Sequence, residues 1–519
     1  MSLALNKFLF MIDNIQIIKK FGYTYLTICT IAECLFQFSL ENLVGCLVFF
    51  YGWFVFTNWV FKRENLVNFC LPSLAIFGYV IMYFILPIGV TLIEGKPVTF
   101  KFENPYLTWA NLFLNISTIT LAYYWALSKF KQSNVVSRFF EKIGYYSVPS
   151  NNTIWVLGIV GLLVLLYNIS TQVGDLDYEE MQTGATGGAL QAMLKGLEVY
   201  SIMPLCLIFG KFYGSYSKTN RRKIYLYLLI VLFISIATTR RSLIAYPLLS
   251  ICMVFLYFAV VNNRKLLNTK RTILVAVVIY LITGPVVDLF AAMALNRHNL
   301  ESKNNFSNII ELYNNKEKLH DMYQYLSAFQ GMNSTNNLGW SEYYVDNILL
   351  DRFCNLRVQD ASIFYATKLG YNNPAMHDFA ADFVSFRIPT FITNALGISK
   401  VVRTSPGDLF VEQYFHETHH VGQKVAGDTG IGLYLMGYFY YPFALIVYFI
   451  VFLFLGTMTK SRNGNLVIPI FVLTSFSRYF MYFVNSIGIF SSIALLLRTG
   501  WEEIFTYCIV LKISNLLKK

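Results

Sequence analysis

The chain has 519 residues, of which 56% are hydrophobic and 13% charged, and its mean hydropathy is +0.50. A soluble domain carries about 25% charged residues, so a water-soluble enzyme, a disordered chain and a disulfide scaffold are excluded and a polytopic membrane protein remains. The net charge of +12 fits Lys- and Arg-rich cytoplasmic loops and does not call for a nucleic-acid partner.

In chain order, Lys19 and Lys20 precede the first long apolar run with no small-residue cleavage site between, which reads as a retained signal-anchor. Apolar runs long enough to span fall near 22–40, 43–61, 69–93, 105–127, 152–170, 197–210, 224–239, 242–261, 272–295, 430–458, 466–497 and 501–514. Taken as helices of about 20 residues, they predict about 12 crossings, with 466–497 long enough for one span plus a re-entrant piece. With both ends inside, the segments 1–21, 62–68, 128–151, 211–223, 262–271, 459–465 and 512–519 hold 23 basic residues against three acids. The short outer connections hold only Lys96, Lys101, Lys195, Arg240, Arg241 and Arg498, which sets the orientation. The eight cysteines have no paired spacing that would suggest a disulfide or zinc framework.

Three parts follow: an N-terminal bundle of about nine spans over 1–295, a large outer loop over 296–429, and about three spans over 430–519. The loop carries 11 basic and 14 acidic residues and all six histidines. Its length implies function or a fold of its own. The runs 340–357 and 361–369 predict amphipathic helices lying against the membrane or capping a cavity.

The candidate residues are mostly arginines at the outer side. Arg240 and Arg241 sit at the tip of a tight hairpin against the positive-inside bias. Guanidinium forks bind phosphate bidentately, and the alternative is snorkelling to lipid phosphates. Arg478 lies within an apolar run and Arg498 opens the last one. Each serves either a substrate or a structural ion pair, with Asp288 or Glu33 the expected partner of Arg478. In the loop, Arg352, Arg357, Arg387 and Arg403 alternate with aromatics such as Trp340, Tyr343, Tyr365 and Phe386, a pairing suited to phosphate and sugar, or to the surface of an amphipathic helix.

For proton transfer there are two candidates. One is the acidic outer segment with Asp175 and Asp177, which could also hold a divalent ion; the other is His377 with Asp378 to orient it. The run His416-Glu417-Thr418-His419-His420 formally matches the His-Glu-x-x-His zinc pattern. It lacks a third ligand, is followed by Gly422 and lies outside any span, so it reads as a polar loop segment and no metal is assigned. There is no Walker A loop, dinucleotide glycine pattern or Gly-x-Ser-x-Gly elbow. An enzyme of this kind takes a substrate already activated and already in the membrane.

The layout resembles the bacterial O-antigen and capsule repeat-unit polymerase family. The residues that carry the likeness are Thr238-Thr239-Arg240-Arg241-Ser242, Arg352-Phe353, Arg387-Ile388-Pro389, Gly427-Asp428-Thr429-Gly430 leading into Tyr434 and Gly437, and Leu497-Arg498-Thr499-Gly500. The resemblance implies an all-α, GT-C-like bundle in the bacterial plasma membrane. It also implies glycosyl transfer between polyprenyl-diphosphate-linked glycans without a cofactor, with a chain-length regulator and a flippase as partners. The arginines would stabilise the departing diphosphate, and a carboxylate or histidine would deprotonate the attacking hydroxyl. An O-antigen ligase would share nearly every feature; a non-enzymatic flippase would more often show duplicated halves.

Overall fold

The computed structural model describes residues 13–131, 134–171, 197–209, 221–237, 242–263, 288–289, 292, 306–315, 344–345, 351, 354–388, 390–398, 405–416, 425–462, 465–484 and 489–516. Over them the chain is almost wholly helical. In order come α1 (Asn14–Phe36), α2 (Leu40–Val60), α3 (Cys70–Ile93), α4 (Pro105–Lys129), α5 (Asn151–Thr171), α6 (Arg221–Ala237) and α7 (Ser242–Val261). They are followed by α8 (Leu356–Leu369), α9 (Pro374–Arg387), α10 (Pro406–Phe415), α11 (Asp428–Thr457) and α12 (Gly500–Leu516). A small antiparallel hairpin pairs Lys460–Arg462 with Asn465–Val467, in the register Lys460 to Val467.

Three of these helices, α2, α3 and α11, are long and apolar enough to cross a membrane among the described residues. That is fewer than the twelve expected. Shorter apolar helices cover Asn151–Tyr167, Glu198–Ile208 and Leu248–Val261, and nearly all of the run 272–295 lies outside the described residues. Two expected spans depart furthest from a continuous α-helix. Glu198–Phe209 is a 3₁₀ helix containing Pro204, whose ring removes a backbone donor and clashes with the preceding α-turn. The run 466–497 breaks into Ile470–Thr474, Phe476–Phe480 and Ile489–Ala494.

The helix starts have local causes. Ser39 accepts from the Asn42 amide ahead of α2, and Asn104 accepts from the Leu107 amide with Pro105 in the first turn of α4. The core is aromatic and is built on small residues facing large rings. Trp109 is buried against Gly45 and donates to the Glu41 carbonyl at 3.0 Å. Trp53 covers Gly22 and donates to the Lys19 carbonyl at 3.3 Å. Removing a side chain at the contact lets the helices approach, and the indole N–H finds an acceptor.

The connections sort to the two ends of α4, a helix of 25 residues and hence about 37 Å long. Near its C-terminal end the hairpin packs against residues 63–68. There Lys460 pairs with Glu141 at 2.9 Å and the Tyr146 hydroxyl donates to the Thr457 carbonyl. At its N-terminal end, residues 98–108 meet the described part of the long loop.

Candidate functional site

The centre of that meeting is α8, which the sequence casts as amphipathic. It is buried on nearly every side instead: Arg357, Gln359, Asp360 and Ser362 are enclosed along with its apolar residues. It lies along the first turns of α11 because Gly427 and Gly430 leave room. A Cβ on Gly430 would sit 2.3 Å from the Ser362 Cβ, and the Gly427 amide donates to the Ser362 hydroxyl at 2.8 Å.

At its N-terminal end α8 is clamped to α4. The Asp360 carboxylate is fully buried. It accepts from the Glu103 amide at 2.6 Å, the Asn104 amide at 3.2 Å, the Thr108 hydroxyl at 2.8 Å and Arg357 Nη1 at 3.0 Å. Arg357 Nη2 reaches Glu103 at 3.1 Å. Burial pushes the Asp360 carboxyl above its ordinary range, and the four donors and the Arg357 charge pull it back. Arg357, expected among the phosphate ligands, is thus a buried cation with both terminal nitrogens on carboxylates. That is the geometry of a structural clamp.

A second group gathers at the end of α9. Its N-terminus is set by Asn373, which caps Ala375, and by Pro374 in the first turn. At its C-terminal end Arg387 lies over the rings of Phe383 and Phe386, at 4.9 and 5.9 Å. Arg387 Nε is buried without a hydrogen-bond partner. Its guanidinium is held below the usual range first by burial and then by the charge of Arg498, with Glu502 opposing. Phe383 packs on Phe490 at 5.1 Å, which ties α9 to the segment leading into α12. Arg498 bonds Glu502 at 2.6 Å one turn along.

Further down α12, Glu503 holds Arg478. That corrects the expected partner of Arg478: Glu33 instead accepts from the Val98 amide at 2.8 Å. Among the described residues, Arg498 and Arg478 each have a carboxylate partner, and Arg387 has no ion pair of its own. Such a surplus suits a doubly charged phosphate, and the half-shielding phenyl rings strengthen the interaction.

The structure thus sets Arg387 within reach of the Arg498 charge, ties Arg478 to Glu503 and sets Arg357 apart. His377 and Asp378 are exposed at the first turns of α9, with His377 Nε2 2.8 Å from the Asn372 side-chain oxygen. Ten residues of helix put them about 15 Å from Arg387 along the axis. Arg240, Arg241, Arg352, Arg403, Asp175 and Asp177 lie outside the described residues, as do Glu417 to His420 of the zinc-like run.

Asp360, Glu103, Glu502 and Glu503 were missed in the sequence. Asp360 and Glu502 were visible in principle, three and four residues beyond Arg357 and Arg498, spacings that put ion pairs on one helix face. Glu103 carried no signal, since its partner is remote in the chain. Comparisons with family models, with curated proteins and with solved structures return no match for this chain.

Proposed function

We propose that the chain is a membrane glycosyltransferase that polymerises polyprenyl-diphosphate-linked repeat units into a surface polysaccharide at the outer face of a bacterial plasma membrane. In this reading it crosses the membrane about 12 times. The long loop is its outer catalytic cap. Arg387 on the cap and Arg498 at the head of the last span are brought together to hold the diphosphate of the donor. As the glycosidic bond to phosphate breaks, negative charge builds on the leaving oxygen. Fixed guanidiniums already aimed there stabilise it without reorganisation. Arg478 supports α12 through its pair with Glu503.

The carrying observation is Arg387: a guanidinium half-enclosed by phenyl rings, beside a second arginine and without a carboxylate of its own. His377 and Asp378, a helix-length away, suit contact with a distal sugar better than proton removal from the hydroxyl that attacks the reacting carbon. Arg357 is assigned to holding the cap in place.

The test is a glycan ladder from a deletion strain complemented with Arg387→Lys or Arg498→Lys. Lysine keeps the charge and loses the fork. Loss of a charge-assisted hydrogen bond of about 1.5–3 kcal/mol in the transition state slows transfer roughly ten- to hundred-fold, so long polymer should disappear while single repeats persist and the protein still accumulates. Full ladders from both variants would dismiss the arginine site. Loss of attached glycan of every length would point to ligase action instead.

A further inference from the structure

The start of α11 buries a carboxyl group that the proposed transfer does not use. Asp428 is 5% exposed. One oxygen, Oδ2, accepts from the Tyr448 hydroxyl at 2.6 Å; the other, Oδ1, is buried with no hydrogen bond. Other groups face it from each packed element. They are Tyr79 and Tyr83 from α3, Tyr440 and Tyr441 from its own helix, Tyr482 from the broken run after the hairpin, and the Ile489 amide. All are phenols or backbone. Among the described residues no lysine, arginine or histidine pairs with Asp428.

A second unpaired acceptor lies on the cap helix, against Gly427 and Tyr83. Gln359 is 3% exposed, and its Oε1 is buried without a partner. Its Nε2 faces the Tyr83 hydroxyl at 3.4 Å. A Cβ on Gly427 would lie 2.4 Å from Gln359 Oε1, so this oxygen presses on the backbone immediately before Asp428. The cap helix and the span thus each present an orphan oxygen at the same step of chain.

Two buried oxygens that receive no hydrogen bond make an incomplete arrangement. An ionised carboxylate with no cation is costly in a low-dielectric interior, and a neutral one carries an O–H that needs an acceptor. One small cation resolves both. A proton on Asp428 would be donated toward a neighbouring oxygen, and a sodium ion would be held by oxygens alone. We propose that Asp428 and Gln359 together bind one small monovalent cation, as a proton or as sodium, and that its binding fastens α8 to α11. The close packing at Gly427 leaves no room for a large organic cation.

The test is thermal unfolding of the full-length chain in detergent. One series runs from about pH 5.5 to 8 without sodium. The other runs at fixed pH from about 1 to 100 mM NaCl, with choline chloride holding the ionic strength. Binding to the folded state alone should raise Tm by about 1–3 °C per tenfold rise in the cation. A proton shows in the first series only and sodium in the second. Asp428→Asn, which keeps the shape and removes the charge, should abolish that response, and Gln359→Leu should weaken it. A Tm indifferent to both cations, as a trapped water would give, overturns the proposal, and so does a wild-type response in Asp428→Asn. Should Asp428→Asn fail to accumulate, an unchanged response in Gln359→Leu has the same force.

Discussion

Two arginines on neighbouring stretches of the long loop have opposite fates. Arg357 is enclosed by Asp360 and Glu103, whereas Arg387 has rings below it and no carboxylate. Their substitution should therefore be read with different instruments. Arg357→Ala leaves two carboxylates facing each other with no cation, and breaking a buried pair in this way costs about 3–5 kcal/mol. We expect a lowered Tm and reduced accumulation, where Arg387→Lys changes polymer length at wild-type protein levels. Asp360 adds a pH dependence. Its folded pKa lies above the ordinary 3.8, so its contribution to stability is full below that value and is lost as pH rises through the raised one. The Tm of Asp360→Asn should accordingly fall less than that of the wild type between about pH 4 and neutrality, as thermal scans across that range would show.

At the scale of elements, what binds the cap to the bundle is a close approach of two helices. Gly430→Ala would place a methyl group 2.3 Å from Ser362 Cβ and 2.5 Å from its backbone carbon, so α8 has to move. Overpacking of this kind costs typically about 1–3 kcal/mol. The expected outcome is faster proteolysis within the loop at an unchanged total of membrane protein. Hydropathy located α2, α3, α4, α7, α11 and α12 within a few residues, because caps such as Ser39 and Asn104-Pro105 stand at their edges. α1 starts eight residues earlier than expected, since Lys19 and Lys20 lie within the helix beside Ile15, Ile17 and Ile18. What hydropathy could not reveal is continuity. An apolar run scores alike whether it is one helix or three, and only Pro204 and the polar Ser475, Ser477 and Arg478 hinted at breaks. The candidate site divides along similar lines. Arg498 and Arg387 stood out because a charge in apolar or aromatic surroundings is costly. Their meeting, and the Glu103 clamp, depend on tertiary packing that no local pattern encodes.

For the molecule as a whole, the contacts fix which connections share an end. The loop helix α9 joins the end where α4 begins, and Lys142 joins the end where the hairpin and Glu141 lie. With the orientation set by the basic residues, a membrane-impermeant thiol reagent should modify His377→Cys in intact cells and Lys142→Cys only after permeabilisation. The reverse pattern would undo the sidedness and, with it, the outer-leaflet substrate. Both positions are at least partly accessible, and neither takes part in the ion clusters described above.

The Asp360 clamp also sets a schedule for biosynthesis. The Glu103 amide and the carboxylate that receives it are 257 residues apart in the chain. At about 5–20 residues per second of synthesis, the acceptor leaves the ribosome roughly 10–50 s after the donor. Over that interval the amides of Glu103 and Asn104 and the Thr108 hydroxyl at the head of α4 are without that acceptor. Docking of α8 onto α4 is then a late step of assembly, open only once the loop has been made.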